Sequence, residues 1–140
     1  MDKTVVTKSV EETQKLGEEL AHNLYNNFLA LYGDLGSGKT SFIQGLARGL
    51  GIRERITSPT FILIRKHEMS SSRIFYHVDL YRVENDESIN EQLSELIEDD
   101  SSIVAVEWAE KLKNLPNKRI DIWFKHLNGN EREIKFNSHE

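Results

Sequence analysis

The chain contains no cysteine and only two prolines, Pro59 and Pro116. The first absence excludes disulfides, thiolate metal sites and a cysteine nucleophile, and fits a reducing compartment. Positive charge is also in short supply. The 18 Lys and Arg against 23 Asp and Glu leave a net charge of −5, the opposite of a protein that grips nucleic acid by its phosphates. No apolar run approaches the roughly 18 residues that span a bilayer. The opening "MDKTVVTKSVEET" is polar and contains acids, which is not a signal peptide. No membrane is expected as a partner, and the expected location is the cytoplasm. There is no internal repeat, low-complexity tract or Gly/Ser linker, so residues 1–140 are read as a single domain. Apolar residues at 38% and charged residues at 29% fit a globular chain, and one of this length can bury roughly two-thirds of its unfolded surface.

What is present alternates between strand and helix patterns. "TVVT" is a short β-type run. Ser9 and Glu12 then form a capping-box pair. Leu16, Leu20 and Leu24 follow at four-residue spacing, predicting an amphipathic helix over about residues 10 to 26. "FLALY" reads as a buried strand. Phe42, Ile43, Leu46, Ala47 and Leu50 mark a helix face that Gly51 closes. "FILIRKHEM" and "RIFYHVDLY" read as a hairpin around "SSS". Ile89, Leu93, Leu96 and Ile97 predict a helix within residues 84 to 100. "SIVAVEW" is an apolar strand, and "RIDIWFKHL" with "REIKFN" makes a closing hairpin around "NGN". Late antiparallel strands combined with early crossovers predict an α/β fold with a mixed parallel/antiparallel sheet.

Between "FLALY" and its helix stands "GDLGSGKT", which satisfies G-x-x-x-x-G-K-[ST] through Gly33, Gly38, Lys39 and Thr40. Each part has a physical task. Glycines allow the positive φ and close approach that point successive N–H groups at phosphate oxygens. The helix that follows presents its positive end to the same anion. Lys39 is a charge able to reach the β and γ phosphates. The Thr40 hydroxyl can join the shell of a magnesium ion, which keeps several waters. An ordinary Gly-rich turn is the bland alternative, but the apolar strand before and the amphipathic helix after are the context the motif requires.

Binding phosphate is not chemistry, which needs an acid near the metal or the attacking water. Two apolar strands end in one: "IFYHVD" at Asp79 and "IVAVE" at Glu107. In an open α/β sheet, ligands gather at the carboxyl ends of strands, so both acids are candidates, against the alternative of solvated strand-end carboxylates. "TSPT", residues 57 to 60, occupies the connection that senses the γ phosphate in nucleotide switches. Thr60 offers a hydroxyl there, and an ordinary proline turn is the alternative. Trp108 reads first as a packing anchor. The histidines show no metal spacing, though His77 shares a strand face with Asp79. "NKRID" misses the guanine-reading N-K-x-D by one position at Asp121, which favours adenine. Arg82 is the only residue suggesting a kinase lid. A small-molecule kinase and a nucleotide-dependent module that never hydrolyses stay open as alternatives.

"GDLGSGKT", "SPTF", "YHVDLYR" and "VEWAE", in this order and spacing, resemble the TsaE (YjeE/YdiB) family of small bacterial P-loop ATPases over nearly the whole chain. Residues 84 to 100 depart from it, lacking Gly and aromatic residues. The resemblance implies a P-loop NTPase-like three-layer sandwich and a magnesium-dependent ATPase that is weak alone. It implies work in forming threonylcarbamoyladenosine in tRNA beside the anticodon, together with TsaD and TsaB counterparts, with tRNA met only indirectly. It further implies that ATP is held by Ser9, Val10, Gly33, Asp34, Gly36, Ser37, Gly38, Lys39, Thr40, Ser41, Trp108 and Arg132. Magnesium would be held by Thr40 and Glu107, and catalysis carried by Asp79, Glu107 and the switch residue Thr60.

Overall fold

The structure is a computed structural model that describes residues 2–24, 26–34, 36–54, 64–81, 87–99 and 101–139. The "TSPT" connection with Thr60, and Arg82, lie outside the described residues. In chain order the elements are β1 (Asp2–Thr7), α1 (Val10–His22), β2 (Phe28–Tyr32), α2 (Lys39–Gly49), β3 (Ile64–Glu68), β4 (Ile74–Asp79), α3 (Glu87–Glu98), β5 (Ser102–Glu107), a 3-10 turn (Ala109–Lys111), β6 (Arg119–His126) and β7 (Arg132–His139). The strands form a seven-stranded sheet in the order β1-β7-β6-β2-β5-β4-β3. The central β6, β2, β5 and β4 are parallel, and β3, β7 and β1 join antiparallel at the two edges.

The central strands are apolar on both faces because both are covered. Leu29 and Leu31 of β2 pack with Leu16 of α1 and with Phe42, Ile43 and Leu46 of α2. Phe28 and Ala30, pointing the other way, pack with Leu93 of α3 and with Val104 and Val106. Helix, sheet and helix are thus three layers. Each Leu, Ile or Phe fully buried this way contributes roughly 1.5–3 kcal/mol relative to exposure.

Helices α1 and α2 meet through backbone. A methyl group placed on Gly17 would lie 2.8 Å from the Leu46 amide nitrogen. One on Gly45 would lie 2.5 Å from the Gln14 carbonyl carbon and closer still to its oxygen. The absence of side chains there is what lets α2, and the loop that precedes it, seat against α1.

Helix α1 ends at His22, short of the expected residue 26. The reason is polar competition for the backbone. Asn23 caps the end, its Nδ2 donating to the Glu19 carbonyl at 3.0 Å. Asn26 Nδ2 instead donates to the carbonyls of Arg119 and His139, and the Asn27 carbonyl accepts from the Val104 amide. The segment therefore joins α1 to the sheet. The other end of α1 is as the sequence predicts, with Ser9 Oγ accepting from the Glu12 amide at 3.1 Å. Gly51, at φ +82°, follows the Leu50 cap of α2. The Gly51 and Ile52 amides return to the Arg48 and Ala47 carbonyls, the paired bonds of a glycine-terminated helix.

No described helix is long and apolar enough to cross a membrane.

Candidate functional site

The site lies at one end of the sheet. The strands β2, β5 and β4 are parallel, so Tyr32, Glu107 and Asp79 finish together. The register sets Leu31 beside Glu107, and Glu107 beside Asp79. Gly33 follows Tyr32 immediately, so the loop begins next to both acids. Side chains alternate across a strand. Ile103 and Ala105 pack on the α1/α2 side of the sheet, as does Phe75. Glu107, two residues beyond Ala105, therefore faces that side, and so do His77 and Asp79 beyond Phe75. This is the face over which α2 begins.

The loop has the conformation that its sequence predicts. Gly36 and Gly38 have φ of +76° and +107°, a region where a Cβ is disfavoured. A methyl on Gly36 would meet nothing within 4 Å among the described residues. Ser37 Oγ is buried and has no hydrogen-bond partner among the described residues. Thr40 and Ser41 occupy the first turn of α2, where unpaired N–H groups and the helix dipole favour negative charge. Asp34 is exposed at the loop's rim.

Lys39 is almost wholly buried, at 4% exposure. Its ammonium donates to the Gly33 carbonyl and lies 3.9 Å from the centroid of the Trp108 ring. Burial lowers its pKa from the ordinary 10.5, while Glu107, Asp79, Glu110 and Asp34 pull it back up. Trp108 reaches the ammonium because the chain turns left-handed after β5, at φ +62°. That conformation is strained for a bulky residue and characteristic of functional sites. Trp108 is thus more than the packing anchor read from the sequence, since its face covers the loop's lysine.

The expected set is brought together unevenly. Arg132 reaches the loop, its Cγ lying 3.5 Å from where a Gly38 methyl would stand. Ser9 and Val10 touch no loop residue in any described contact. They follow Thr7, which pairs with Arg132, so they stand at the same end of the sheet. The Ser9 hydroxyl caps α1, and Val10 is exposed. Asp121, the near miss for guanine reading, is buried in β6 and accepts from Tyr32, Arg119 and His139 at 2.9, 3.0 and 2.8 Å. It fastens Tyr32, the last residue before the loop, from the far face of the sheet. Burial and the Asp121 bond push the Tyr32 phenol well above its ordinary range.

Two contributors escape sequence reasoning. Lys111 donates to the Tyr81 carbonyl and sits 6.0 Å from the Trp108 ring. Tyr81 packs against Trp108 at 5.1 Å between centroids. The three-residue turn that carries Lys111 has no periodicity to read, and "WAEK" gives no other signal.

Lysine, loop amides and helix terminus fit a polyphosphate. The Thr40 hydroxyl and the acids fit a hard cation. Among the described residues no three His, Asp or Glu cluster into a dedicated cage. Replacing Lys39 by Ala is expected to weaken binding of a polyphosphate by on the order of 1.5–3 kcal/mol, and equilibrium titration checks it. A bound polyphosphate favours the charged ammonium that burial disfavours, and so raises the Lys39 pKa from its lowered position. Binding therefore takes up protons in an alkaline window opening below pH 10.5, and affinity falls as pH rises through it. Calorimetry in buffers of different ionisation enthalpy should detect that uptake in the native chain and not in Lys39→Ala.

The family model described as "Threonylcarbamoyl adenosine biosynthesis protein TsaE" matches residues 7–134. The chain is similar to a "tRNA threonylcarbamoyladenosine biosynthesis protein TsaE" from Nostoc sp., 44% identical over 80% of this chain and 71% of that one. A protein of the same description from Bacillus subtilis is 39% identical over 93% of this chain and 82% of its own. The crystal structure of Bacillus subtilis YdiB superposes with a TM-score of 0.74 at 31% identity, covering 100% of this chain and 87% of that one. The chain belongs to the TsaE family.

Proposed function

We propose that this chain binds ATP with magnesium and hydrolyses it, as the nucleotide-cycling subunit in formation of threonylcarbamoyladenosine in tRNA. It acts in the cytoplasm beside TsaD and TsaB counterparts that carry out the transfer and meet the tRNA. Family membership supports the pathway. The observation that carries the ATPase reading is the position of Glu107: 3% exposed, at the end of β5 beside the strand that opens into the loop, on the face where α2 begins.

In this reading the loop amides and Lys39 hold the β and γ phosphates and spread their charge. Lys39 leaves the Trp108 face as the phosphates take over its neutralisation. The Thr40 hydroxyl and the Glu107 carboxylate would hold magnesium, which would further neutralise the phosphate oxygens. Glu107 also accepts a hydrogen from the water that attacks the γ phosphorus, fixing its line of approach. Asp79 is the second acid. Its Oδ1 accepts from the Tyr81 amide at 3.0 Å, which orients the carboxylate at the strand end. Thr60 is proposed as the γ-phosphate sensor. Arg132, Asp34, Ser37, Gly38 and Ser41 border the phosphates, and Ser9 and Val10 the base.

The deciding experiment is a pull-down with the tagged chain in ATP and in ADP. Nucleotide-dependent recovery of TsaD and TsaB counterparts is the expected result. Their absence in both nucleotides, or turnover of the isolated chain with a small acceptor that becomes phosphorylated, would overturn the reading.

A further inference from the structure

Beneath the acid proposed to direct water lies a residue that the functional reading does not use. His77 is wholly buried, at 0% exposure, in β4. Its Nε2 lies 2.6 Å from Glu107 Oε2. Among the described residues its Nδ1 has no partner. A carboxylate only accepts hydrogen bonds, so Nε2 carries the hydrogen and donates it. Among the described residues the bond to Glu107 is therefore the one polar task this ring performs. A buried polar ring with an unused nitrogen costs free energy that an apolar side chain of similar volume would not. The position pairs across the sheet with Ala105 and follows Phe75, which packs in the apolar cluster. Packing alone would accept a leucine there.

We infer that His77 is a positioning residue for the reaction, fixing Glu107 through Oε2 so that Oε1 is held at one orientation toward the phosphate loop. The inference rests on the ATPase reading above and deepens it. A free glutamate rotates about its terminal torsion, which is broad and roughly two-fold. A donor anchored in a central parallel strand removes that freedom, as outer partners do for carboxylates that ligate metals. The charged groups around Glu107 do not supply the same constraint. Lys39 is held by the Gly33 carbonyl and the Trp108 ring, and Asp79, alongside in register, repels rather than holds. His77 and Glu107 are thirty residues apart in sequence, joined only by the pairing of β4 with β5.

Two variants and one spectrum test this in the full chain. His77→Leu removes the donor and keeps the volume. His77→Gln keeps an N–H at about the same reach. Hydrolysis is measured with TsaB and TsaD counterparts present, and ATP affinity separately by titration. His77→Leu is expected to lower turnover by about 10–100-fold with ATP affinity unchanged, and His77→Gln is expected to recover most of the loss. Wild-type turnover in His77→Leu, or an equal loss in both variants, would overturn the inference. The third measurement needs no activity. Long-range nitrogen–proton correlation in the nucleotide-free protein should show His77 protonated at Nε2, with a resonance that moves on Glu107→Gln. A hydrogen found on Nδ1 alone, or a His77 signal indifferent to that substitution, would also overturn it. If the native chain with both partners fails to hydrolyse ATP, the ATPase reading falls, while the spectrum still decides whether His77 holds Glu107.

Discussion

Gly45→Val is expected to lower the stability of the protein by about 3 kcal/mol, the upper part of the range for overpacking. The first atom of the new side chain would lie 2.5 Å from the Gln14 carbonyl carbon and 2.7 Å from its Cα. These are backbone atoms in the middle of α1, with no rotamer to give way. Relief requires the two helices to separate, which loosens Leu16, Phe42, Ile43 and Leu46 together. Because α2 carries the loop at its N-terminus, nucleotide affinity should fall along with stability. Gly129→Ala is the control. Its methyl would meet nothing within 4 Å at φ +55°, so only the left-handed backbone cost of about 1 kcal/mol remains. Denaturant midpoints of the two variants measure the contrast. A Gly45→Val protein within 1 kcal/mol of the native chain would mean that α1 and α2 do not approach through these backbones.

Glu107→Gln should have the largest effect on activity, a loss of about 10²–10⁴-fold in turnover, the contribution usual for a positioned acid or base. The substitution keeps the volume, and its amide oxygen can still accept from His77, so the fold should survive. What disappears is the charge that draws the hydrogen from water and helps hold the cation. Glu107→Ala differs in leaving His77 Nε2 buried without an acceptor, which adds about 1–3 kcal/mol of destabilisation. Single-turnover hydrolysis in the reconstituted complex, with ATP affinity measured in parallel, separates the two outcomes. Native turnover in Glu107→Gln would remove Glu107 from its catalytic role, whereas full support of tRNA modification by a variant that binds ATP without hydrolysing it would leave the chain a nucleotide-dependent binding module.

The sequence reveals those parts of the site that are contiguous or that end an element. The loop is a run of eight residues with its helix attached, and its backbone angles follow from its glycines. Glu107 and Asp79 stand out because each breaks an apolar run where a strand must stop. The central strands and the longer helices are legible for the same reason, that burial of one or both faces imposes a period. What cannot be read is pairing across the fold. The Glu107–His77 bond and the Tyr32–Asp121 bond span 30 and 89 residues, and no periodicity encodes them. Gly17 and Gly45 carry no side chain to form a pattern, so the approach of the two helices is invisible until both are in place. The end of α1 falls short of the sequence expectation because Leu24 keeps the helical spacing while the asparagines around it are drawn to carbonyls elsewhere.

The register at the sheet's edge has a consequence for synthesis. Residues Asp2 to Thr7 pair only with Asn137 to Arg132, and the flank of the phosphate loop is made by Phe124 and Arg132. A chain emerging from the ribosome therefore exposes β1 bare until β7 has cleared the exit tunnel. Contacts so distant in sequence form late. A nascent chain arrested before β7 would carry an intact "GDLGSGKT" that has no wall on one side and no edge strand to seal it. Competence to hold nucleotide should thus arise only once β7 is available to pair.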